Sequence, residues 1–345
     1  MAYTAINDPT IYMNTVLYTG TGSSNAVTGV GFQPDFTWIK NRETGYSHQL
    51  YDVLRGTTER IFSNVTNVEE TDAQALNAFG ADGFTVGTNV GVNENTKGQV
   101  SWNWKAGTSS GLTGGTITPS YSYNATSGFG IYQWTGTGAA GTITHGLGST
   151  PKMIIVKVYN YDENWIVYDS TNGATNFMRF NNTHATGTNS DMFDDTEPTS
   201  TVFTIGSHDA VNKSTYNCIA YVFADVAGYS KFGSYTGNGS TDGTFVYTGF
   251  KPAWVVYKPS SAVDNWEMLD NKRDISNPND TLLYVNLLNT ESDPASTNDR
   301  VDFLSNGLKF RDSGGASNGD GTTYIYMAFA EAPFVNSEGV PCNAK

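Results

Sequence analysis

Three lysine and aspartate pairs recur along the chain at one fixed interval: Lys40 with Asp52, Lys157 with Asp169, and Lys258 with Asp270 (52−40 = 169−157 = 270−258 = 12). A carboxylate beside an amine is the raw material of acid–base chemistry, but catalytic groups must converge on one substrate. Each pair here occurs once per copy of a longer pattern. The aspartates therefore read as turn or capping residues and the lysines as exposed strand ends. Four residues before each aspartate stands a ring, His48, Trp165 or Trp266. Trp165 and Trp266 are expected at equivalent buried positions beneath the strands that end at Lys157 and Lys258. His48, in the same register, is expected to be less buried or differently packed.

Other reactive side chains form no constellation. His48, His145, His184 and His208 are scattered without the paired spacing of a zinc site and read as structural or surface residues. The acidic loops Asp191-Met192-Phe193-Asp194-Asp195 and Asn277-Pro278-Asn279-Asp280 carry oxygen ligands but not the spacing of a calcium loop, and read as solvated loops. The Gly-x-Gly elements precede β-rich sequence, not a helix, so they do not meet the structural condition for a phosphate cradle. No catalytic, cofactor-binding or metal-binding residue is assigned, and no enzymatic activity is expected. Trp and Tyr near Asn and Asp could stack on sugars, although their alternation suits a core better.

The elements that position these residues come from self-similarity. Thr19-Gly20-Thr21-Gly22, Thr135-Gly136-Thr137-Gly138 and Thr236-Gly237-Asn238-Gly239 are each followed by a proline that opens an apolar run, Pro34, Pro151 and Pro252. From that proline to the lysine the step is constant (40−34 = 157−151 = 258−252 = 6). A later strand-like element around Phe84, Phe203 and Leu308 leads to a closing aromatic run ending at Trp104, Phe223 and Phe329. The third of these steps is one residue longer, which places an insertion in the loop Ser313-Gly314-Gly315-Ala316-Ser317. In Val100-Ser101-Trp102-Asn103-Trp104 one face is aromatic and the other polar. The best helix candidate is Val68 to Phe79, rich in Glu, Ala and Leu.

Composition points the same way. Gly (37), Tyr (20) and Phe (18) are abundant while charged residues make up only 15%, a mixture that favours strands and tight turns. The formal charge of −14 opposes binding to nucleic acid. Two cysteines, Cys218 and Cys342, exclude a disulfide framework. The N-terminus lacks the pattern of a signal peptide, and no stretch approaches the roughly 18 apolar residues needed to cross a bilayer.

The expected architecture is all-β, with three tandem antiparallel β-sandwich (jelly-roll-like) repeats at 15–106, 128–228 and 229–334. The remainder divides into an N-terminal anchoring segment, 1–14, a Gly/Ser/Thr-rich linker, 107–127, and a C-terminal tail, 335–345.

In these residues the chain resembles repeat-containing, tail-fibre-like or uncharacterised virion proteins of tailed bacteriophages, mostly marine ones. The resemblance covers nearly the whole chain. It rests on Leu17-Tyr18-Thr19-Gly20-Thr21-Gly22, Trp38-Ile39-Lys40-Asn41-Arg42, Trp102-Asn103-Trp104-Lys105-Ala106-Gly107, His145-Gly146-Leu147-Gly148 with Pro151-Lys152-Met153, Lys231-Phe232-Gly233-Ser234-Tyr235, and Tyr324-Ile325-Tyr326-Met327-Ala328-Phe329 through Phe334. It implies a structural protein on the particle exterior, as a tail fibre, appendage or capsid decoration, assembled in the bacterial host cytoplasm. The partners implied are other virion proteins, further copies of the chain (a trimer by family analogy) and host-surface glycans, without nucleic acid or membrane insertion. A glycan-binding adhesin is the alternative reading.

Overall fold

A computed structural model describes residues 4–291 and 300–343; residues 1–3 and 344–345, the extremities of the two expected tails, lie outside the described residues. Short runs of Val, Ile, Thr and aromatic residues, interrupted by Gly, Asn and Asp, give a chain that is 42% strand and 5% helix. It is all-β, built from antiparallel sheets.

Four strands recur in each sequence copy. An opening strand (Met13–Thr19, Phe129–Thr135, Ser230–Thr236) leads the chain into a lysine strand (Phe36–Asn41, Pro151–Val158, Phe250–Pro259). Then come an aspartate strand (Gln49–Asp52, Ile166–Asp169, Glu267–Asp270) and a closing strand (Gly98–Trp104, Asn217–Ala224, Thr323–Pro333). In all three sheets the spatial order is opening, closing, lysine, aspartate. The registers coincide: Phe36, Met153 and Trp254 each face the copy's own aspartate, Asp52, Asp169 and Asp270, on one side, and Trp104, Phe223 and Phe329 on the other.

Because successive side chains point to opposite faces, each central strand feeds two cores. Ile154 and Val156 pack with Ile143, Phe203 and Ile205 from a small sheet of the same copy. Their neighbours Met153 and Ile155 instead join Trp38, Trp104, Trp254 and Met327 in one cluster shared by all three copies. Both faces are therefore buried, including the polar face of the first closing strand, where Asn103 donates to Asn14 O at 3.2 Å and accepts from Thr37 Oγ1 at 3.1 Å. A cavity of about 10 Å³ on the shared side is lined by apolar surface and has room for one water-sized sphere at most.

One expectation changes. The segment Val68 to Phe79 is not helical: Glu70–Thr71 and Leu76–Gly80 are strands, because Leu76 is buried and its backbone pairs with Gly83–Val86. Within 107–127, Ser120–Asn124 pairs along the second opening strand, and Ser122 Oγ donates to buried Asp35 at 3.0 Å. At the N-terminus, Ile6 sits in the shared core and Thr4 Oγ1 donates to Ala227 O at 2.9 Å, so this segment packs onto the body of the protein where the second and third copies meet.

Candidate functional site

The Thr-Gly-x-Gly element is a fitted turn. A Cβ on Gly20, Gly136 or Gly237 would fall 2.0, 2.1 or 2.3 Å from the carbonyl oxygen of Glu94, Lys213 or Gly319, so no side chain fits there. Gly22, Gly138 and Gly239 adopt φ of +65, +70 and +62°, the left-handed region that glycine tolerates. The turn is held by a buried asparagine that the sequence reading missed. Asn93, Asn212 and Asn318 accept at Oδ1 from the backbone N–H of Thr21 (2.8 Å), Thr137 (2.9 Å) and Asn238 (3.1 Å). Through Nδ2 they donate back to Ser23 O, Ala139 O and Ser240 O. The signal was present, since each lies a constant step before the closing aromatic (104−93 = 223−212 = 329−318 = 11).

The recurrent lysines, rings and aspartates meet at three seams between the copies. All three lysines are completely buried, not exposed as their position at a strand end suggested. Each ammonium donates to the carbonyl six residues on in its own copy, Tyr46 O (2.8 Å), Glu163 O (2.5 Å) and Asp264 O (2.6 Å). It also donates to a carbonyl of another copy: Lys157 to Thr66 O at 2.8 Å, Lys258 to Thr183 O at 3.0 Å, and Lys40 to Leu288 O at 3.2 Å. The second copy thus holds the first, the third holds the second, and the first holds the third, closing a ring. Burial pushes each amine down to about 8.

The rings run in the same direction. Trp165 Nε1 donates to Phe62 O at 2.8 Å and Trp266 Nε1 to Arg179 O at 2.9 Å, both tryptophans being buried as expected. His48 is also fully buried; of the two expectations, lower burial or different packing, the structure shows the second, since its Nδ1 accepts from Trp38 Nε1 while its Nε2 lies 2.9 Å from Tyr284 O. A second missed residue positions each ring, with Asn64, Asn181 and Asn286 accepting from the backbone N–H of His48, Trp165 and Trp266. The third lies four residues further from its aspartate than the other two (64−52 = 181−169 = 12; 286−270 = 16), which hid the repeat. Backbone bonds complete the seams: Glu69 N to Tyr159 O, Thr186 N to Ser260 O and Glu291 N to Arg42 O, at 2.6, 2.9 and 2.7 Å.

The aspartates do cap turns, as read. Oδ1 of Asp52, Asp169 and Asp270 accepts from the backbone N–H groups two and three residues later. In Asp52 and Asp270 the other oxygen also meets another copy. Asp52 Oδ2 accepts from Tyr221 Oη (2.9 Å) and Arg55 Nε (2.6 Å), and Asp270 Oδ2 from Trp102 Nε1 (3.1 Å) and Arg273 Nε (2.5 Å). The register that carries Trp102 and Tyr221 carries Met327 in the third copy. Asp169 Oδ2 accepts instead from Asn172 Nδ2 of its own copy at 2.7 Å, and burial raises its carboxyl above the usual range.

The remaining candidates make local bonds of their own. His145 Nδ1 accepts from Leu147 N, His208 Nδ1 accepts from Ala210 N, and exposed His184 bonds Asn182. The acidic loops are not simply solvated as read: Ser190–Phe193 forms a helical turn that buries Met192 and Phe193, and in the second loop buried Asn279 donates through Nδ2 to Asp270 O and Asn277 to Phe303 O. Among the described residues, no three His, Cys, Asp or Glu side chains gather as a metal site. Arranged as they are, the repeated polar residues cross-link three bodies into one.

Residues 8–333 match the family described as a domain of unknown function, DUF7483. No curated protein matches the chain.

Proposed function

The chain belongs to the DUF7483 family, and we propose that it is a non-enzymatic structural protein of a tailed bacteriophage virion, exposed on the particle as a tail fibre, appendage or head decoration and contributing to host attachment. The observation that carries this reading is the closed ring of seams. The lysine and the ring that recur in all three copies each bond across a seam to another copy, through buried bonds that need no disulfide and no metal. That suits an exterior part made in a reducing cytoplasm and later exposed outside the cell. We read the three sheets, each with its own small sheet, as three tandem antiparallel sandwiches; together they are the internal counterpart of the homotrimer common in phage appendages. Peptide mass spectrometry of purified particles should detect the chain, and surface labelling should reach it; its absence from particles would overturn the proposal.

A second reading, a glycan-binding adhesin, is compatible with the first. It is favoured by two aromatic rings left open to solvent in the third copy, Phe245 and Tyr247.

A further inference from the structure

The small sheet of the third copy is formed by Phe245–Tyr247, Gly307–Phe310 and Val301–Leu304, with the first of these at its edge. Val246 points into the copy's core at 5% exposure, while Phe245 and Tyr247 flank it on the outer face at 45% and 59%. Exposed rings of this size two residues apart on one strand call for a reason.

The other two copies act as internal controls. Val27 and Ile143 are the buried central residues of the equivalent strands. That alignment sets Ala26 and Thr142 at the place of Phe245, and Thr28 and Thr144 at the place of Tyr247. Opposite Phe245 stands Lys309, where the other copies have Thr85 and Thr204. The fold is built twice without rings or charges on this face. Their presence in the third copy is therefore not a folding requirement.

The surroundings define a ligand. Phe245 lies along Gly307, where a Cβ would come 3.1 Å from Phe245 Cε2, and Tyr247 borders Gly249, so both rings rest on residues without side chains. Beside them Lys309 pairs with Asp242 at 2.7 Å and Arg311 with Asp302 at 2.6 Å. Two cations and two anions balance, leaving donors and acceptors but no net charge. The chain as a whole carries −14, which disfavours polyanions. Flat apolar rings beside balanced hydrogen-bonding groups fit a neutral ligand with apolar C–H faces and many hydroxyls. We propose that this face is a subsite for a neutral oligosaccharide, with Phe245 and Tyr247 stacking on sugar rings and Lys309, Arg311, Asp242 and Asp302 meeting their hydroxyls. The proposal rests on the host-attachment reading and gives it a location.

The test uses the full chain and the double variant Phe245→Ala, Tyr247→Thr, which installs the side chains of Ala26 and Thr28. Both proteins are applied to an array of neutral and anionic glycans, and the strongest neutral binder is followed by titration calorimetry. The wild type should bind neutral glycans, and the variant should lose at least about tenfold in affinity at an unchanged melting temperature. Undiminished binding by the variant overturns the site while leaving attachment standing through another surface. A wild type that binds no glycan overturns both, and binding confined to anionic glycans overturns the subsite. Self-association of the wild type that the variant abolishes, seen by sedimentation velocity, would instead make this face an interface between copies and overturn the proposal.

Discussion

His48 Nε2 reaches Tyr284 O at 2.9 Å across the seam between the first and third copies, the same bond that Trp165 and Trp266 make from the other two. A smaller ring fills this register because a larger one stands beside it. Trp38 Nε1 donates to His48 Nδ1 at 2.8 Å, which leaves the proton on Nε2 for Tyr284, and Trp38 occupies the register held by Ile155 and Val256. Volume has been exchanged between two neighbouring positions.

That exchange is testable by a double-mutant cycle. His48→Trp alone should overpack the seam and cost about 1–3 kcal/mol, while Trp38→Ile alone opens a cavity. The double variant should be more stable than the sum of the two predicts, by at least ~1 kcal/mol. Urea denaturation of the four proteins measures it, and strict additivity would sink the compensation.

The lysines set a pH dependence. Their folded value near 8 lies below the unfolded value of about 10.4, so between these the unfolded chain binds more protons and stability rises with pH. The denaturation midpoint should climb from pH 8 to pH 10, and each of Lys40→Met, Lys157→Met and Lys258→Met should remove part of the slope. Each should also lower stability at pH 7 by about 2 kcal/mol, since carbonyls on both sides of a seam lose a donor. A flat profile for the wild type would contradict this.

His48 acts at the other end of the pH range. Burial holds its imidazole well below the usual value, so the folded chain resists a proton that the unfolded chain accepts below about pH 6.5. Stability should fall as pH drops through that point, and His48→Gln should lose much of this acid sensitivity in thermal melts at pH 5 and 7. Equal acid sensitivity in the variant would assign the effect to other groups.

The Gly136 and Asn212 lock should be one unit. Gly136→Ala forces a Cβ against Lys213 O, and Asn212→Ala strips the turn of its donors and acceptor; each should cost about 2–4 kcal/mol. Because both loosen the same turn, the double variant should cost clearly less than their sum. Full additivity in calorimetry would mean two separate sites.

Trp165→Ala and Trp266→Ala should each cost on the order of 3–5 kcal/mol, and by similar amounts, because each removes a buried indole and its bond across a seam. A loss under ~1 kcal/mol at either position in chemical denaturation would place that ring outside the core.

Much of this was legible along the chain. The constant steps from proline to lysine to aspartate marked three equivalent strand pairs, and alternating aromatics marked the closing strands. The turn role of the aspartates followed from residue type, since Asp bonds the backbone just beyond it whatever surrounds it. The segment Val68 to Phe79 misled because a good helical composition yields to strand pairing with Gly83–Val86 and a buried Leu76.

What the sequence determined by itself is local: where strands run, which glycine must be glycine, and which residues repeat. The fate of the repeated lysines was decided only in three dimensions. A lysine ending a strand before a loop is solvated if its sheet stands alone, and nothing within the copy that holds Lys40, Lys157 or Lys258 says otherwise. Each is enclosed because the carbonyl of Leu288, Thr66 or Thr183 arrives from another copy when three sheets turn their outer faces onto one core. Contacts between residues 75 to 248 positions apart leave no mark in the local pattern, and they alone convert an exposed charge into a buried cross-link.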